Sequence, residues 1–328
     1  MISYTIDNVN QLFPLIVSDI QKHGTRRNSR AGKVLEFNEP VAITYRHPTQ
    51  RVLFDLNRLC NPVFHFMEGL WMISGARDVE FLDYFNKLMA QYSDDGHVFY
   101  GAYGYRWRTL FGFDQIEKAV HLLRANHDDR RVVMAMWDPS HDMGHNQKDH
   151  PCNTHVYFKI RDHKLQMTVC NRSNDVLYGL TGANAVHMTM IHEYMAGRVG
   201  VEVGMYHSIS DSCHVYTEVP VWEAVKDTTY DVEDYYSTEH SDLLTKPYPM
   251  FKDCHEKSWA ADLELFMLDP VDLVEYKTPF FRDVAQPIAL VWEAHKRNRN
   301  GLKYVDSIKA TDWKFACRRW LEIKEAVK

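Results

Sequence analysis

The stretch HPCNTH sets a cysteine, Cys152, in a polar loop just ahead of a strand-like pattern. A thiol becomes a nucleophile where nearby positive charge or a base favours the thiolate. His150 and Lys148 precede Cys152 closely, and Arg172 approaches it if the following hairpin folds back. The alternative is an unreactive structural cysteine, and this segment alone leaves both open. Downstream, CNRSND gathers Arg172, Ser173, Asn171, Asn174 and Asp175 at a strand end. A guanidinium fork beside a hydroxyl and amides suits a phosphate monoester. An ordinary strand-end turn uses the same residue types.

Other residues could join such a site. Arg130 and Arg131 precede a short apolar run, and Arg30 lies in RNSRAGK; solvated charge is the alternative for each. Glu68 stands in the apolar stretch NPVFHFMEGLWMISG. A carboxylate there must be paired, protonated or functional, because burying an unpaired charge is costly. His214 and Tyr216 in DSCHVY share one face of a strand, where they could meet a sugar hydroxyl or simply pack together. His141, His145, His150 and Cys152 could in principle ligate zinc, but their spacing matches no strong zinc pattern. His192-Glu193 opens like HExxH, yet Ala196 stands where the second histidine belongs. No metal is expected.

These residues need elements to hold them. Residues 8–23 read as an amphipathic helix, and 24–37 as a basic loop running into a strand. Residues 61–75 form an apolar helix bounded by Asn61-Pro62 and Gly75. A helix is expected over 79–92, then a loop through SDDGHVFYGAYGYRW, then a helix over 114–126. RRVVMAMWD (130–138) reads as a strand, and 140–153 as irregular. THVYFKI and KLQMTVCNRS alternate at period 2 around Arg161-Asp162-His163, a hairpin signal. Residues 184–196 form a helix, with Asn184 as a candidate N-cap and Gly197 as a stop. VEVGMYHSISDSCHVYTEV has strand character. The acidic, tyrosine-rich DTTYDVEDYYSTEHSD then leads to two helices, about 284–298 and 311–327, joined by GLKYVD.

The 328 residues are 45% hydrophobic and 25% charged, ordinary for a soluble globular protein. No run is long and apolar enough for a membrane span, and the N-terminus reads as a folded helix instead of a signal peptide. The net charge of −6 argues against a general nucleic-acid binder. Six cysteines without a CxxC pair read as reduced thiols of a cytoplasmic protein. The expected organisation is one α/β domain over 1–328, with a core at about 20–220 and a helical C-terminal extension at about 280–328.

The pieces follow one order: Arg loop, Glu helix, YG-x-x-W-R loop, Arg-Arg strand, Pro-Cys loop, R-S-x-D strand end and D-x-x-H-x-Y strand. Over about residues 20–220 that order resembles the thymidylate synthase / deoxycytidylate hydroxymethylase family. The resemblance implies a mixed β-sheet covered by helices and an obligate homodimer with shared active sites. It implies Cys152 as the nucleophile, Glu68 as the carboxylate that orders water and Tyr103 as the group near the C5 proton. Arg30, Arg172 and Ser173 would hold the nucleotide phosphate, joined by Arg130 and Arg131 of the neighbouring subunit. Asp175 would contact the folate pterin, and His214 and Tyr216 the sugar 3′-hydroxyl. The co-substrates implied are a pyrimidine nucleoside monophosphate and methylenetetrahydrofolate.

Four departures from thymidylate synthases matter. Ala183 stands where they place the asparagine that reads uracil, with Asn184 one residue later as a substitute reader or a simple helix cap. Met89 and Tyr92 replace a tryptophan pair that walls the folate side. Asn153 replaces the histidine after the cysteine, and the C-terminal flap is not recognisable. A changed wall admits water, so the expected reaction is pyrimidine C5 hydroxymethylation. Deoxycytidylate is the first-choice substrate, followed by deoxyuridylate and cytidylate. The alternatives are a thymidylate synthase methylating deoxyuridylate, a silent nucleotide- or RNA-binding protein on the same fold and, more distantly, a zinc hydrolase.

Overall fold

The computed structural model describes residues 1–227, 233–237 and 246–326. Most of DTTYDVEDYYSTEHSD, and residue 327 of the last expected helix, lie outside the described residues. Among the described residues the strands are β1 (Ile2–Ile6), β2 (Thr25–Ser29), β3 (Gly32–Glu36), β4 (Val41–Tyr45), β5 (Val133–Ala135), β6 (Asn153–Arg161), β7 (Lys164–Asp175) and β8 (Glu202–Tyr216). They form one mixed sheet in the order β1-β4-β8-β7-β6-β5, and the β2–β3 hairpin joins through β3 to β8. The pairs β1/β4 and β7/β8 are parallel; the other pairs are antiparallel.

Alternation makes the sheet two-faced. Met134, Val156, Val169 and Ile43 are buried beneath helices. The opposite row across the register is Val133, Tyr157, Thr168, His207 and Thr44. Among the described residues nothing buries that row, and Val133 and Tyr157 are exposed. The β6–β7 turn uses Asp162 and His163 at φ 50° and 58°, the left-handed pair a two-residue hairpin with right-handed twist requires.

The helices are α1 (Val9–His23), α2 (Pro62–Ser74), α3 (Val79–Phe85), α4 (Tyr103–Tyr105, continuing as a wider turn through Leu110), α5 (Gln115–Ala125) and α6 (Pro139–Asp142). They continue as α7 (Asn184–Val199), α8 (Pro220–Val225), α9 (Lys257–Leu268), α10 (Gln286–Lys296), α11 (Leu302–Ser307) and α12 (Thr311–Ala326). The α2 boundaries follow local chemistry. Asn61 Oδ1 accepts from Phe64 N at 3.1 Å, Pro62 stands at the first turn and Gly75 ends the helix at φ 84°. Helix α7 crosses α2 and packs on β7 and β8.

Several expected elements differ. The basic loop 24–37 is the β2–β3 hairpin with Arg30 at its turn; its edge strand faces solvent, so its side chains never alternate in polarity. The helix expected over 79–92 stops at Phe85, where Asn86 is extended, and a 3-10 turn, Met89–Tyr92, follows. The loop through YGYRW turns helical at Tyr103, and the 130–138 strand shrinks to Val133–Ala135. Helix α7 runs past Gly197 to Gly200, which holds φ 88°. Asn184 lies inside α7 and does not cap it. The joining segment GLKYVD forms most of α11, and α8 and α9 were not expected from the sequence.

The C-terminal helices are bound into the same core. Trp313 meets Phe66 of α2 edge-on at 5.1 Å between ring centroids, and Trp292 lies 5.8 Å from Trp320. Buried Glu193 of α7 accepts from Arg51 at 2.5 Å and from the Met250 amide at 2.9 Å.

Candidate active site

A cavity of about 350 Å³ opens where the C-terminal end of β7, the end of β8 and the first turns of α7 meet α2 and α4. It is in the usual range for a small-molecule site. Cys152, Glu68, Tyr103, Ser173, Asp175, Asn184, His214, Tyr216, Met89 and Tyr92 all line it.

Cys152 sits just before β6, and β7 returns beside it, as the hairpin pattern requires. Arg172 lies 3.9 Å from Sγ and is braced by the carbonyls of Pro151 at 3.0 Å and His150 at 3.4 Å. Burial pushes the Cys152 thiol up, and the Arg172 guanidinium opposes it. The resting group is therefore a thiol, with Arg172 and, more weakly, Arg30 in place to favour the thiolate. The other two expected activators are turned elsewhere. Lys148 Nζ donates to the Ser93 carbonyl at 2.9 Å, and the His150 ring lies 2.8 Å from the His145 carbonyl. Arg30 Nη1 donates to the Gln147 carbonyl at 2.7 Å, which places Arg30 on the rim beside the cysteine loop.

Tyr103 receives the Cys152 amide on its hydroxyl at 3.3 Å, and burial raises its phenol well above the ordinary value. The Cys152 loop and the Tyr103 helix are locked by Arg106 and Asp142, a buried pair with two 2.8 Å bonds. Gly104 allows this helix to approach α2: a Cβ there would stand 2.0 Å from the Met72 carbonyl oxygen.

One side of the cavity carries a set of amides. Asn184 Nδ2 donates to Asn174 Oδ1 at 3.0 Å, and Asn174 Nδ2 donates to Ser210 Oγ at 3.2 Å. Gly179 makes room for this pair, since a Cβ would stand 2.5 Å from Asn174 Oδ1. Asp175 Oδ1 accepts from the Tyr178 amide at 2.5 Å, while buried Oδ2 has no hydrogen-bond partner among the described residues. Burial raises the Asp175 carboxyl, opposed by that amide and by His214. His214 meets Tyr216 edge-on at 5.2 Å.

The cavity also holds two groups that the sequence reading missed. Asp149 accepts from the Gly101 amide at 2.8 Å, and burial pushes its carboxyl up to about 6. His187, one turn along α7 from Asn184, puts Nε2 3.1 Å from Glu68 Oε2. The clues were weak: Asp149 adjoins HPCNTH, and NAVH sets His187 at helical spacing from Asn184.

Arg130 and Arg131 are not brought into this cavity. Both are exposed, and Arg131 pairs with Asp129 at 2.9 Å. The His141 ring is paired with Asp138 at 2.7 Å, and among the described residues no three His, Cys, Asp or Glu side chains gather as metal ligands do. His192 bonds the Leu165 carbonyl at 2.6 Å, which, with the Arg51–Glu193 pair, makes the His192-Glu193 step structural.

The thymidylate synthase family profile matches residues 11–278 of this chain. The chain belongs to the thymidylate synthase family. The match extends well past residue 220, so the stretch resembling the family is longer than its motifs marked. The deoxyuridylate hydroxymethyltransferase of Pseudomonas phage M6 is 42% identical over 333 residues, covering 97% of this chain and 93% of that protein. The protein of the same name from Bacillus phage SP01 is 34% identical over 267 residues, covering 78% and 68%. A putative thymidylate synthase of Methanothermobacter marburgensis is 39% identical over 124 residues, covering 38% and 54%. Members of this thymidylate synthase family transfer one-carbon units to pyrimidine nucleotides, and this chain is such a transferase.

Proposed function

We propose that this chain is a folate-dependent hydroxymethyltransferase acting on C5 of deoxyuridylate. The observation that carries the product is where the cavity is walled. Among the described residues, those lining it all precede Thr217. Helix α12 packs on the far side, against α2, and the Met89–Tyr92 turn leaves Tyr92 half exposed at the mouth. Thymidylate synthases, by the resemblance, close a C-terminal flap over this region and exclude water. Here water reaches the reacting carbon.

Deoxyuridylate replaces deoxycytidylate as first choice for two reasons. The two phage relatives carry that substrate in their names. The Ser210–Asn174–Asn184 chain also turns the Asn184 amide nitrogen inward and leaves its Oδ1 as the acceptor that a uracil N3–H needs.

Cys152 Sγ adds to pyrimidine C6, moving the C5–C6 electron pair to C5, which becomes the nucleophilic carbon. Arg172 favours the thiolate. Tyr103 and Glu68 handle the C5 proton. Arg30, Arg172 and Ser173 hold the phosphate, and His214 and Tyr216 the sugar hydroxyl. The unpartnered Oδ2 of Asp175 fits a pterin N–H, and Met89 and Tyr92 wall that side. Methylenetetrahydrofolate, when bound, supplies the one-carbon electrophile.

The enzyme is read as one domain and as a homodimer that pairs through the uncovered sheet face around Val133 and Tyr157, bringing the partner's Arg130 and Arg131 to the phosphate. It would work in the cytoplasm, where nucleotide pools are made. Mass spectrometry tests the reaction. Purified enzyme with methylenetetrahydrofolate and deoxyuridylate should yield a nucleotide heavier by CH₂O, without dihydrofolate. A nucleotide heavier by CH₂, with dihydrofolate, overturns the reading in favour of methylation. Turnover of deoxycytidylate or cytidylate alone overturns the base assignment.

A further inference from the structure

Hydroxymethylation needs a nucleophilic water, and a water needs a place to stand. His187 is buried, 4% exposed, and lines the cavity beside Glu68. Nε2 of His187 and Oε2 of Glu68 lie 3.1 Å apart, yet neither has an aligned hydrogen-bond partner among the described residues. A direct bond would satisfy both. Leaving both buried and unaligned is costly unless a third polar group is shared between them. His65 meets the ring edge-on at 6.4 Å, and burial drives the His65 imidazole well below its ordinary value, so His65 stays neutral. His187 and Glu68 line the same cavity as Cys152.

We propose that His187 is the positioning residue for the water that becomes the product hydroxyl. The inference rests on the hydroxymethyltransferase reading above. The water donates one O–H to the Glu68 carboxylate and the other to His187 Nε2, with the imidazole proton on Nδ1. Two acceptors fix both hydrogens, so the oxygen lone pair faces the cavity. The water oxygen then bonds the exocyclic methylene carbon at C5 of the cysteine-bound nucleotide. Its proton passes to Glu68. The methylene π pair moves onto C5 and the C4 carbonyl, and its return forms C5=C6 and expels the Cys152 thiolate from C6. No oxidant or reductant is consumed. The family pattern places a histidine next to the cysteine, where this chain has buried Asn153; His187 brings an imidazole to the site from α7 instead.

Two variants and a competing nucleophile test this. His187→Phe keeps an aromatic ring and removes the acceptor; His187→Gln keeps an acceptor. Each is incubated with deoxyuridylate and methylenetetrahydrofolate, with and without 2-mercaptoethanol, whose thiolate attacks the same methylene carbon without needing the held water. His187→Phe should lower the hydroxymethyl product at least tenfold while the thioether product, seen by mass, forms near the wild-type rate. His187→Gln should recover most of the hydroxymethyl product. Deoxyuridylate binding by calorimetry, without folate, should stay within threefold for both variants. Equal loss of hydroxymethyl and thioether products, or an unchanged hydroxymethyl rate in His187→Phe, overturns the role of His187. Failure of the underlying reading looks different: the wild-type enzyme itself would give methylated nucleotide and dihydrofolate.

Discussion

Cys152 shows how one side chain's reactivity is set by opposing fields. Burial raises its thiol; Arg172 lowers it, and the Asp149 carboxylate raises it again. Asp149 is itself pushed up to about 6 by burial, with Glu68 adding to the effect. Above that pH its charge works against the thiolate. Asp149→Asn keeps the acceptor for the Gly101 amide and removes the charge. The variant should therefore alkylate faster at Cys152 with iodoacetamide at pH 8, by roughly two- to tenfold, the range of a ~0.4–1.4 kcal/mol charge effect. An unchanged alkylation rate would show that Asp149 does not act on the thiol.

At the scale of elements, the site depends on two irregular segments, the Tyr103 helix and the cysteine loop, which carry few regular backbone bonds between them. The Arg106–Asp142 pair joins them, and Arg106 also donates to the Met136 carbonyl at 2.8 Å. Burial alone would raise the Asp142 carboxyl, but the Arg106 bonds hold it below the ordinary value. Asp142→Ala strands a buried guanidinium, and breaking such a pair costs about 3–5 kcal/mol. Urea denaturation should show a loss of that size; a loss under ~1 kcal/mol would mean that water reaches Arg106. The pair's contribution is present above the ordinary carboxylate range of about 4 and is lost as pH falls through the lower folded value.

Across the whole molecule, the C-terminal helices are tied to the core through a buried carboxyl. Asp312 accepts from the Tyr236 hydroxyl at 3.0 Å, and burial pushes it up from 3.8 to about 6. A raised folded pKa favours the protonated fold, so this stability is full below about 4 and is lost as pH rises through about 6. Asp312→Asn should flatten that loss, by at most ~1.4 kcal/mol over the roughly one pH unit between pH 5 and the folded value, in denaturation midpoints compared at pH 5 and pH 8. Equal slopes for both proteins would count against it. The proposed sharing of the site between two subunits makes a prediction at the same scale. Mixing inactive Cys152→Ser and Arg131→Ala subunits should restore activity, up to roughly a quarter of wild type, since a random mixture is half heterodimer with one intact site each. No recovery would sink the contribution of Arg131 across the interface.

Strong periodicity and local chemistry let the sequence alone determine the β6–β7 hairpin, the capped α2 helix, the long β8 strand and α12. Its ordered motifs marked the family and named most cavity-lining side chains, because each motif is a short run of unusual residue types. Segments governed by long-range contacts were not legible. The edge hairpin around Arg30 lacks polarity alternation, α7 passes through Gly197 because Phe251 and Cys254 pack against it, and Asn184 is drawn from a capping role by Asn174. Only the tertiary structure decided that His187 faces Glu68 and that Asp149 is buried beside the thiol. It also decided that α12 lies behind α2 and not over the cavity. These are meetings of residues far apart in the chain, and their consequences depend on burial and distance, which no local pattern encodes.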